Sequence, residues 1–496
     1  MLHAVTTTKR AFAKGCLPRL KTCTAPRRNL LTLAIETSCD DTAVAILERP
    51  SALDSIETAG GSAGRLDHQS HEERRTKNGY STARLLFNEK VTARNTGLGG
   101  IHPIEALESH QANLAKLISK ATSYLPDVAP DSTSCDLSTP PASAPRTIRV
   151  SDGGLKKLPD FISVTRGPGM RSNLSCGLDT AKGLAAAWQV PLVGVHHMQA
   201  HALTPRLVDA LQGQDTPSGI KLHEPAPRFP FLTLLVSGGH TMLLHSKGLV
   251  DHEILATTRD VAIGDALDKC GRIILPDSFK LQAKDTAFAK YLSDYAFPDQ
   301  NSYGDWPVPR RRKNEIAKPN NKFGWQVQAP LADTKDLAFS FTSVATSIER
   351  LVKSRIEQLD GSLSEAERLL FAQTSLGIAF EHLASRTVVT LEKLQAAKQD
   401  VSTLVVSGGV AANSFLRYFL RKMLDVRGYE HVQLLFPPVW LCTDNAAMIA
   451  WCGMEMFEAG YHSGFEVGAL RKWSMDSAAP DGGILGVGSW LKHQTT

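Results

Sequence analysis

Apolar positions in this chain fall into short continuous runs that stop at polar or glycine turns, separated by stretches with helical spacing. Leu30-Leu-Thr-Leu-Ala-Ile35 and Thr42-Ala-Val-Ala-Ile-Leu47 read as two apolar strands joined by a polar turn. The result is a β-hairpin with Glu36, Asp40 and Asp41 at its tip. Asp160 to Thr165 is a strand running into the turn Gly167-Pro-Gly169, and Ser172 to Trp188 then has helical spacing. Val190-Pro-Leu-Val193 is strand-like and leads into Gly194-Val-His-His-Met-Gln-Ala-His201. Pro230 to Leu244 reads strand, Gly-Gly turn, strand, and the same Val-Ser-Gly-Gly core returns at 406–409, opening a helix through Leu420. Helical patterns also lead from Gly99 through Leu117, from Ser343 to Leu359 and over 365–397. Three stretches lack periodicity and read as irregular insertions: 49–83, the Ser/Thr/Pro-rich 122–149, and 276–335.

Composition changes this picture at one end. The first 29 residues carry Lys9, Arg10, Lys14, Arg19, Lys21, Arg27 and Arg28 with no acid, among Thr, Ala, Phe and Leu, the composition of a mitochondrial transit peptide. A basic arm for nucleic acid is the competing reading. The whole chain carries a formal charge of +5; without those seven cations, 48 basic residues face 50 acidic ones. A nucleic-acid partner therefore needs a local patch, and Arg310-Arg-Arg-Lys313 is the sharpest one, although such runs are commonly solvated loops. No run of about 18 uncharged apolar residues occurs, which argues against a membrane span. Eight cysteines without C-x-x-C pairs argue against a disulfide framework and against a thiolate zinc site.

The candidate chemistry centres on His197 and His201. On a helix their four-residue spacing puts both imidazoles on one face, within reach of one metal ion, while His196 points elsewhere. With 16 histidines in 496 residues such a pair arises by chance roughly once in two chains of this size, so a third ligand is needed. Asp444, at the predicted start of a helix in Leu441-Cys-Thr-Asp-Asn-Ala-Ala-Met448, supplies one. Two imidazoles and a carboxylate suit Zn or Fe(II) and leave positions open for substrate. The Gly-Pro-Gly turn and the two Val-Ser-Gly-Gly turns have shapes that bring backbone N–H groups toward an anion, or else are plain structural turns. Asp268, on a predicted helix, is a candidate ribose or amine partner. His102 and His110 read as satisfied polar residues near a helix start.

Taken together, Ile35-Glu-Thr-Ser-Cys-Asp-Asp-Thr42, Thr165-Arg-Gly-Pro-Gly-Met170, His196-His-Met-Gln-Ala-His201, Leu235-Val-Ser-Gly-Gly-His-Thr241, Ser407-Gly-Gly-Val-Ala-Ala-Asn413 and Cys442-Thr-Asp-Asn-Ala-Ala-Met448 resemble, in order, the motifs of the tRNA adenosine threonylcarbamoyltransferases, in their mitochondrial branch. The tail Arg471-Lys-Trp-Ser-Met475 is similar too. The resemblance implies an α/β fold of two actin and hexokinase-like (ribonuclease H-like) lobes enclosing a nucleotide cleft. It divides the chain into a transit peptide (1–29), an N-terminal lobe (30–210), a C-terminal lobe (228–455) and a tail (456–496). It implies transfer of a threonylcarbamoyl group from threonylcarbamoyl-AMP, made by a separate synthase, to N6 of the adenosine 3′ of the anticodon in mitochondrial tRNAs reading codons that begin with A, in the matrix. His197, His201 and Asp444 would hold one divalent metal; Leu235, Val236, Ser237, Gly238, Gly239, Asp268 and Asn413 would contact the adenylate; Asp41 would lie at the reacting centre. Homodimerisation is left open. The chain departs from the family pattern at Gln199, Asp41 and Asp265, where Glu is usual, and in lacking a glycine pair after Asp268.

Three rival functions differ in chemistry. A metalloprotease of the H-E-x-x-H kind would need a Glu where Met198 stands. A small-molecule kinase or ATPase of the same fold would transfer phosphate without RNA. A silent nucleotide-binding subunit would have no use for a complete His197, His201 and Asp444 set.

Overall fold

The computed structural model describes residues 29–50, 83–93, 101–128, 146–151, 153–212, 224–282, 287–316, 318–359 and 361–492. Residues 1–28 of the expected leader, the 51–82 part of the first insertion and 129–145 of the second lie outside the described residues, while Asn29 opens the first strand. Two mixed sheets, each flanked by helices, form two α/β lobes, as the family resemblance implies.

The first sheet has the order Trp490–Lys492, Tyr461–Ser463, Leu192–His196, Phe161–Gly167, Asn29–Glu36, Asp41–Pro50, Arg84–Thr92. Asn29–Glu36, Asp41–Pro50 and Arg84–Thr92 form an antiparallel meander, and Phe161–Gly167 and Leu192–His196 extend it in parallel. Its first strand is apolar on both faces because both are covered. Leu31, Leu33 and Ile35 pack under the helices Pro103–Thr122 and Arg171–Trp188. Leu30 and Ala34 face the opposite cluster, which holds the helices His197–Gln212 and Ala446–Glu458 with the fully buried Trp451.

The second sheet has the order Ala338–Phe339, His252–Thr258, Thr241–Ser246, Phe231–Val236, Thr403–Ser407, Gln433–Leu435. Again a three-stranded antiparallel meander is extended by two parallel strands. Leu232, Leu234, Val236, Leu404 and Val406 pack against the helices Ile263–Ile274, Thr342–Gln358 and Glu365–Ala396. Phe231, Leu235 and Val405 turn to the cluster shared with the first lobe.

Two expectations are corrected. The stretch 276–335 is not irregular throughout: it contains the helices Asp277–Gln282, Phe288–Ala296 and Arg312–Ile316, and it buries Phe297, Tyr303, Trp325 and Val327 in the second lobe's core. Trp325 stacks flat on Phe371 at 4.0 Å between ring centroids. The lobe boundary at 455 does not follow the sheets either, because Ala446–Glu458 packs on the first sheet and residues 461–492 give that sheet two edge strands. The chain thus returns to its first lobe after building the second.

Candidate metal and nucleotide site

The strand Leu192–His196 ends where the helix His197–Gln212 begins, so neighbouring histidines leave the backbone in different directions. His196 points to the tail. Its Nδ1 accepts from the N–H groups of Met198 and Gln199 at 3.2 and 3.3 Å, which capping requires to be unprotonated, so Nε2 donates to Trp473 O at 3.0 Å. Burial pushes this imidazole down to about 3, so it stays neutral. It is a capping residue of the helix, a role its sequence position did not announce.

His197 and His201 converge on one carboxylate. His197 Nε2 lies 3.4 Å and His201 Nε2 3.1 Å from Asp444 Oδ1, and the two rings meet edge to face at 4.8 Å. One ligand atom from each residue lies within 4.8 Å of the others. Asn445, not Asp444, caps the helix Ala446–Glu458, its side chain accepting from Met448 N at 2.9 Å, which leaves the Asp444 carboxylate for the histidines. Burial alone would raise Asp444, yet the two imidazoles hold it well below the usual carboxylate range. Burial likewise pulls His197 down, but Asp444 and Glu36 together push it up to about 10, whereas burial keeps His201 below the ordinary histidine value. The donor set, two nitrogens and one oxygen around one point, fits a divalent metal. Such an ion would displace the proton that the two carboxylates hold on His197.

Glu36 supplies what the motif alone does not show. It is fully buried at the end of its strand, receives Ser38 N and Thr165 Oγ1, both at 2.5 Å, and faces His197 Nδ1 at 3.2 Å. Burial would raise this carboxyl, but His197 pulls it net below its ordinary value. A carboxylate on Nδ1 fixes the ring and leaves Nε2 turned to the ligand point, the usual support for a metal-bound histidine. The signal was present in the sequence: an acid closing an apolar strand is costly to bury unless it has partners.

The acidic turn is held from several sides. His110 Nδ1 meets Thr42 Oγ1 at 2.7 Å and its Nε2 meets Cys39 O at 3.0 Å, so this histidine braces the turn, as a satisfied polar residue would. The Gly-Pro-Gly turn lies against Ser38, with Met170 N donating to Ser38 O at 2.9 Å, and a Cβ on Gly169 would sit 2.7 Å from that oxygen. This turn therefore adjoins the histidines, and its Met170 amide is spent on the protein. Asp41 is engaged twice, by Lys90 Nζ at 2.6 Å and by Thr92 Oγ1. Lys90 also donates to Thr443 Oγ1 and Asp444 O, both at 3.1 Å, and so ties the Asp444 loop to the first lobe. Burial raises Asp41 despite these bonds, and burial, then Asp41 and Asp444, push Asp40 up to about 6.

Across the cleft the two Val-Ser-Gly-Gly turns sit side by side, because Leu235 pairs with Ser407 in parallel strands. Gly408 has φ +97°, and a Cβ there would meet Val236 O at 2.4 Å, so this close approach needs glycine. Leu235 and Val236 are buried strand ends, while Gly238 and Gly239 are exposed with open space where a Cβ would project. Ser237 Oγ accepts from His240 N at 3.0 Å and shapes the first turn. The helix Ile263–Ile274 starts against it, Gly264 N donating to Ser237 O at 3.2 Å, and Ser414–Val426 starts beyond the second. Two helix N-termini and exposed glycine backbone are chemically suited to an anion. Asn413 uses Oδ1 to cap Leu416 N at 3.1 Å, which leaves its NH2 for a ligand. Asp268 accepts from Ala289 N at 2.6 Å and so anchors the inserted helix Phe288–Ala296. The second turn reaches the metal side: a Cβ on Gly409 would be 4.0 Å from the Thr443 methyl. His240, closing the first turn, is pushed down to about 4 by burial and then by His197 and His201.

The basic run divides. Arg312 points inward, donating to Glu315 at 2.5 Å, Ser385 Oγ at 2.9 Å and the carbonyls of Leu331 and Ala332 at 3.0 Å, which corrects its reading as a phosphate contact. Arg310, Arg311 and Lys313 are exposed. Arg427, just past the end of Ser414–Val426, bonds Pro309 O and Glu315, so the run sits at the opposite end of that helix from Asn413, about 20 Å away by helical rise.

Among the described residues no helix is long and apolar enough to cross a membrane. The family model TsaD, tRNA N6-adenosine threonylcarbamoyltransferase, matches residues 152–451. A Schizosaccharomyces pombe protein named "tRNA N6-adenosine threonylcarbamoyltransferase, mitochondrial" is 33% identical over 94% of this chain and 90% of its own length. Proteins of Cereibacter sphaeroides and Brucella ovis, both named tRNA N6-adenosine threonylcarbamoyltransferase, are 30% and 29% identical over 91% and 92% of this chain and 96% and 98% of theirs.

Proposed function

The chain belongs to the tRNA N6-adenosine threonylcarbamoyltransferase family, and from that premise we propose that it moves the threonylcarbamoyl group of threonylcarbamoyl-AMP onto N6 of the adenosine 3′ of the anticodon in mitochondrial tRNAs reading codons that begin with A. The observation that carries this reading is the convergence of His197, His201 and Asp444 beside two adjacent glycine turns, one set of groups suited to a polarising metal and the other to an adenylate. In the reaction N6 attacks the carbamoyl carbon, the bond from that carbon to the phosphate oxygen breaks, and AMP leaves with the electron pair. An exocyclic adenine amine is a poor nucleophile, so orientation and charge stabilisation must supply most of the acceleration. A bound Zn or Fe ion would supply Lewis acidity toward the carbamoyl group.

The protein's own part follows from the geometry. Glu36 holds His197 in ligating orientation through Nδ1, and Asp444 joins the Nε2 atoms of His197 and His201 as the third ligand. The Ser237–Gly239 and Ser407–Gly409 turns, the helix start at Ile263 and the Asn413 amide face the adenylate. The N6 proton goes to a carboxylate of the acidic turn. Asp41, expected for this role, is held by Lys90 and Thr92 and better suits a positioning task; Asp40, pushed up to about 6, has the affinity a base needs near neutrality. The leader composition and the name of the fission yeast relative support a mitochondrial, matrix location.

The test uses the purified, metal-loaded protein without residues 1–29, incubated with threonylcarbamoyl-AMP and unmodified mitochondrial tRNA. Digested RNA should contain an adenosine heavier by one threonylcarbamoyl group, with an equal amount of AMP released. Controls lacking the donor should show neither, and absence of both products in the complete reaction would refute the proposal.

A further inference from the structure

Beside the histidine cluster lies a cavity of about 190 Å³ with walls from four separated parts of the chain. Pro168 comes from the Gly-Pro-Gly turn, His240 and Met242 from the second lobe's first hairpin, and Arg471 to Met475 from the returning tail. Met198, adjacent to the ligand His197, lies between them. We propose that this cavity receives the acceptor purine of the RNA, unpaired and turned out of its loop, with the flanking phosphates on Arg471 and Lys472. The inference rests on the transferase reading and deepens it, since it says where on that site the acceptor lies.

Size comes first. The cavity is smaller than the roughly 300 Å³ at which pockets for whole ligands begin, so it suits a flat ring system and not a nucleotide. Its lining is chemically mixed in the way a base requires. Met198, Met242 and Met475 provide polarisable apolar walls that adapt to a ring face, and Trp473 closes one side, fixed by its Nε1–H to Gly483 O at 3.1 Å and by the adjoining ring of His196. His240 lines the same cavity, and its imidazole edge can hydrogen-bond a base edge. At the mouth, Arg471 and Lys472 are both exposed, and neither has an ion pair among the described residues. Two adjacent cations beside an apolar, base-sized cavity match a phosphate backbone with one base turned inward. The threonyl part of the donor is the other small fragment at hand, but its carboxylate, hydroxyl and carbamoyl N–H fit walls of three methionines poorly.

The experiment uses full-length mature protein with metal bound, saturating threonylcarbamoyl-AMP, and an anticodon stem-loop RNA as acceptor. Two variants probe different walls: Met242→Trp fills the cavity, and the exposed pair Arg471→Ala with Lys472→Ala removes the mouth charges without touching the core. Both should raise the RNA KM roughly tenfold, the second with a shallower salt dependence, while metal content and donor Kd stay at the wild-type value. In a stem-loop with 2-aminopurine at the acceptor position, the fluorescence change on binding should be lost in Met242→Trp. Unchanged RNA parameters in both variants, with an active wild type, overturn this inference and leave the functional reading standing. A fall in donor affinity instead of RNA affinity overturns it in favour of the threonyl fragment. A wild type that transfers nothing removes the functional reading, and this inference with it.

Discussion

The two lobes share one strand order, a three-stranded antiparallel meander followed by two parallel strands, but the turns at corresponding places carry opposite chemistry. In the first lobe the turn between strands one and two is Thr37-Ser-Cys-Asp40, and it is packed with buried, charged and hydrogen-bonded side chains. In the second lobe the matching turn is Ser237-Gly-Gly-His240, with exposed backbone and open space above two glycines. The parallel strands differ in a related way: the first lobe's Gly-Pro-Gly turn spends an amide on Ser38, while the second lobe's Ser-Gly-Gly turn packs Gly408 against its twin and exposes Gly409. One scaffold thus places side-chain chemistry on one wall of the cleft and backbone recognition on the other. Under the proposed reaction the first wall handles metal and proton, and the second handles the adenylate.

The comparison breaks most visibly at Asp40. Asp40→Asn should cost about two to four decades in transfer rate, the usual worth of a general base. For the intact protein the rate should climb as pH rises through about 6, where this carboxyl ionises, and that limb should vanish in the variant. A limb that persists assigns the proton to another group. His201→Ala should lose about two to three decades together with bound metal, read by elemental analysis beside single-turnover transfer. His196→Ala, by contrast, should keep the metal and lose stability, since it removes a helix cap and not a ligand.

Smaller effects sharpen the same contrast. Glu36→Gln keeps the shape but removes the charge facing His197, so metal affinity should fall about 10- to 100-fold with the adenylate affinity unchanged, measured by competition with a chelator. Gly408→Ala should do the reverse, weakening donor binding and costing about 1–3 kcal/mol of stability while leaving the metal in place, because its φ of +97° and the Val236 carbonyl leave no room for a Cβ. Gly238→Ala is the mildest, within about 0.5 kcal/mol of wild type in stability, since nothing lies within 4 Å of the added carbon. A metal loss in either glycine variant would show that the walls are not separate.

Much of this division was legible in the sequence. The apolar runs and their turns marked the strands of both meanders, and the spacing of His197 and His201 marked a helical pair. What was illegible depends on distance along the chain or on direction in space. Glu36 and His197 are 161 positions apart, and nothing local says that they meet. Lys90 stands on a strand with a mixed polar pattern beyond an aperiodic stretch, so its bonds to Asp41 and the Asp444 loop could not be read from its neighbours. A run of four cations shows charge but not orientation, and Arg312 turned into a buried network with Glu315. The tail looked like an appendage because its strands are three residues long, too short for a pattern.

The last stretch of chain, from Asp444 onward, gives the molecule a particular order of assembly. Asp444, the helix behind the first sheet and the strand that covers the edge at Leu192 all come from the last stretch of chain, after the whole second lobe. Until that last stretch docks, the first sheet has an uncovered edge and an empty helix position. Contacts this distant in sequence form slowly, and open strand edges invite pairing with other chains in the meantime. Under the proposed reaction, assembly of His197, His201 and Asp444 around an ion would therefore be a late event in folding, and a chain truncated before Asp444 would lack the third ligand.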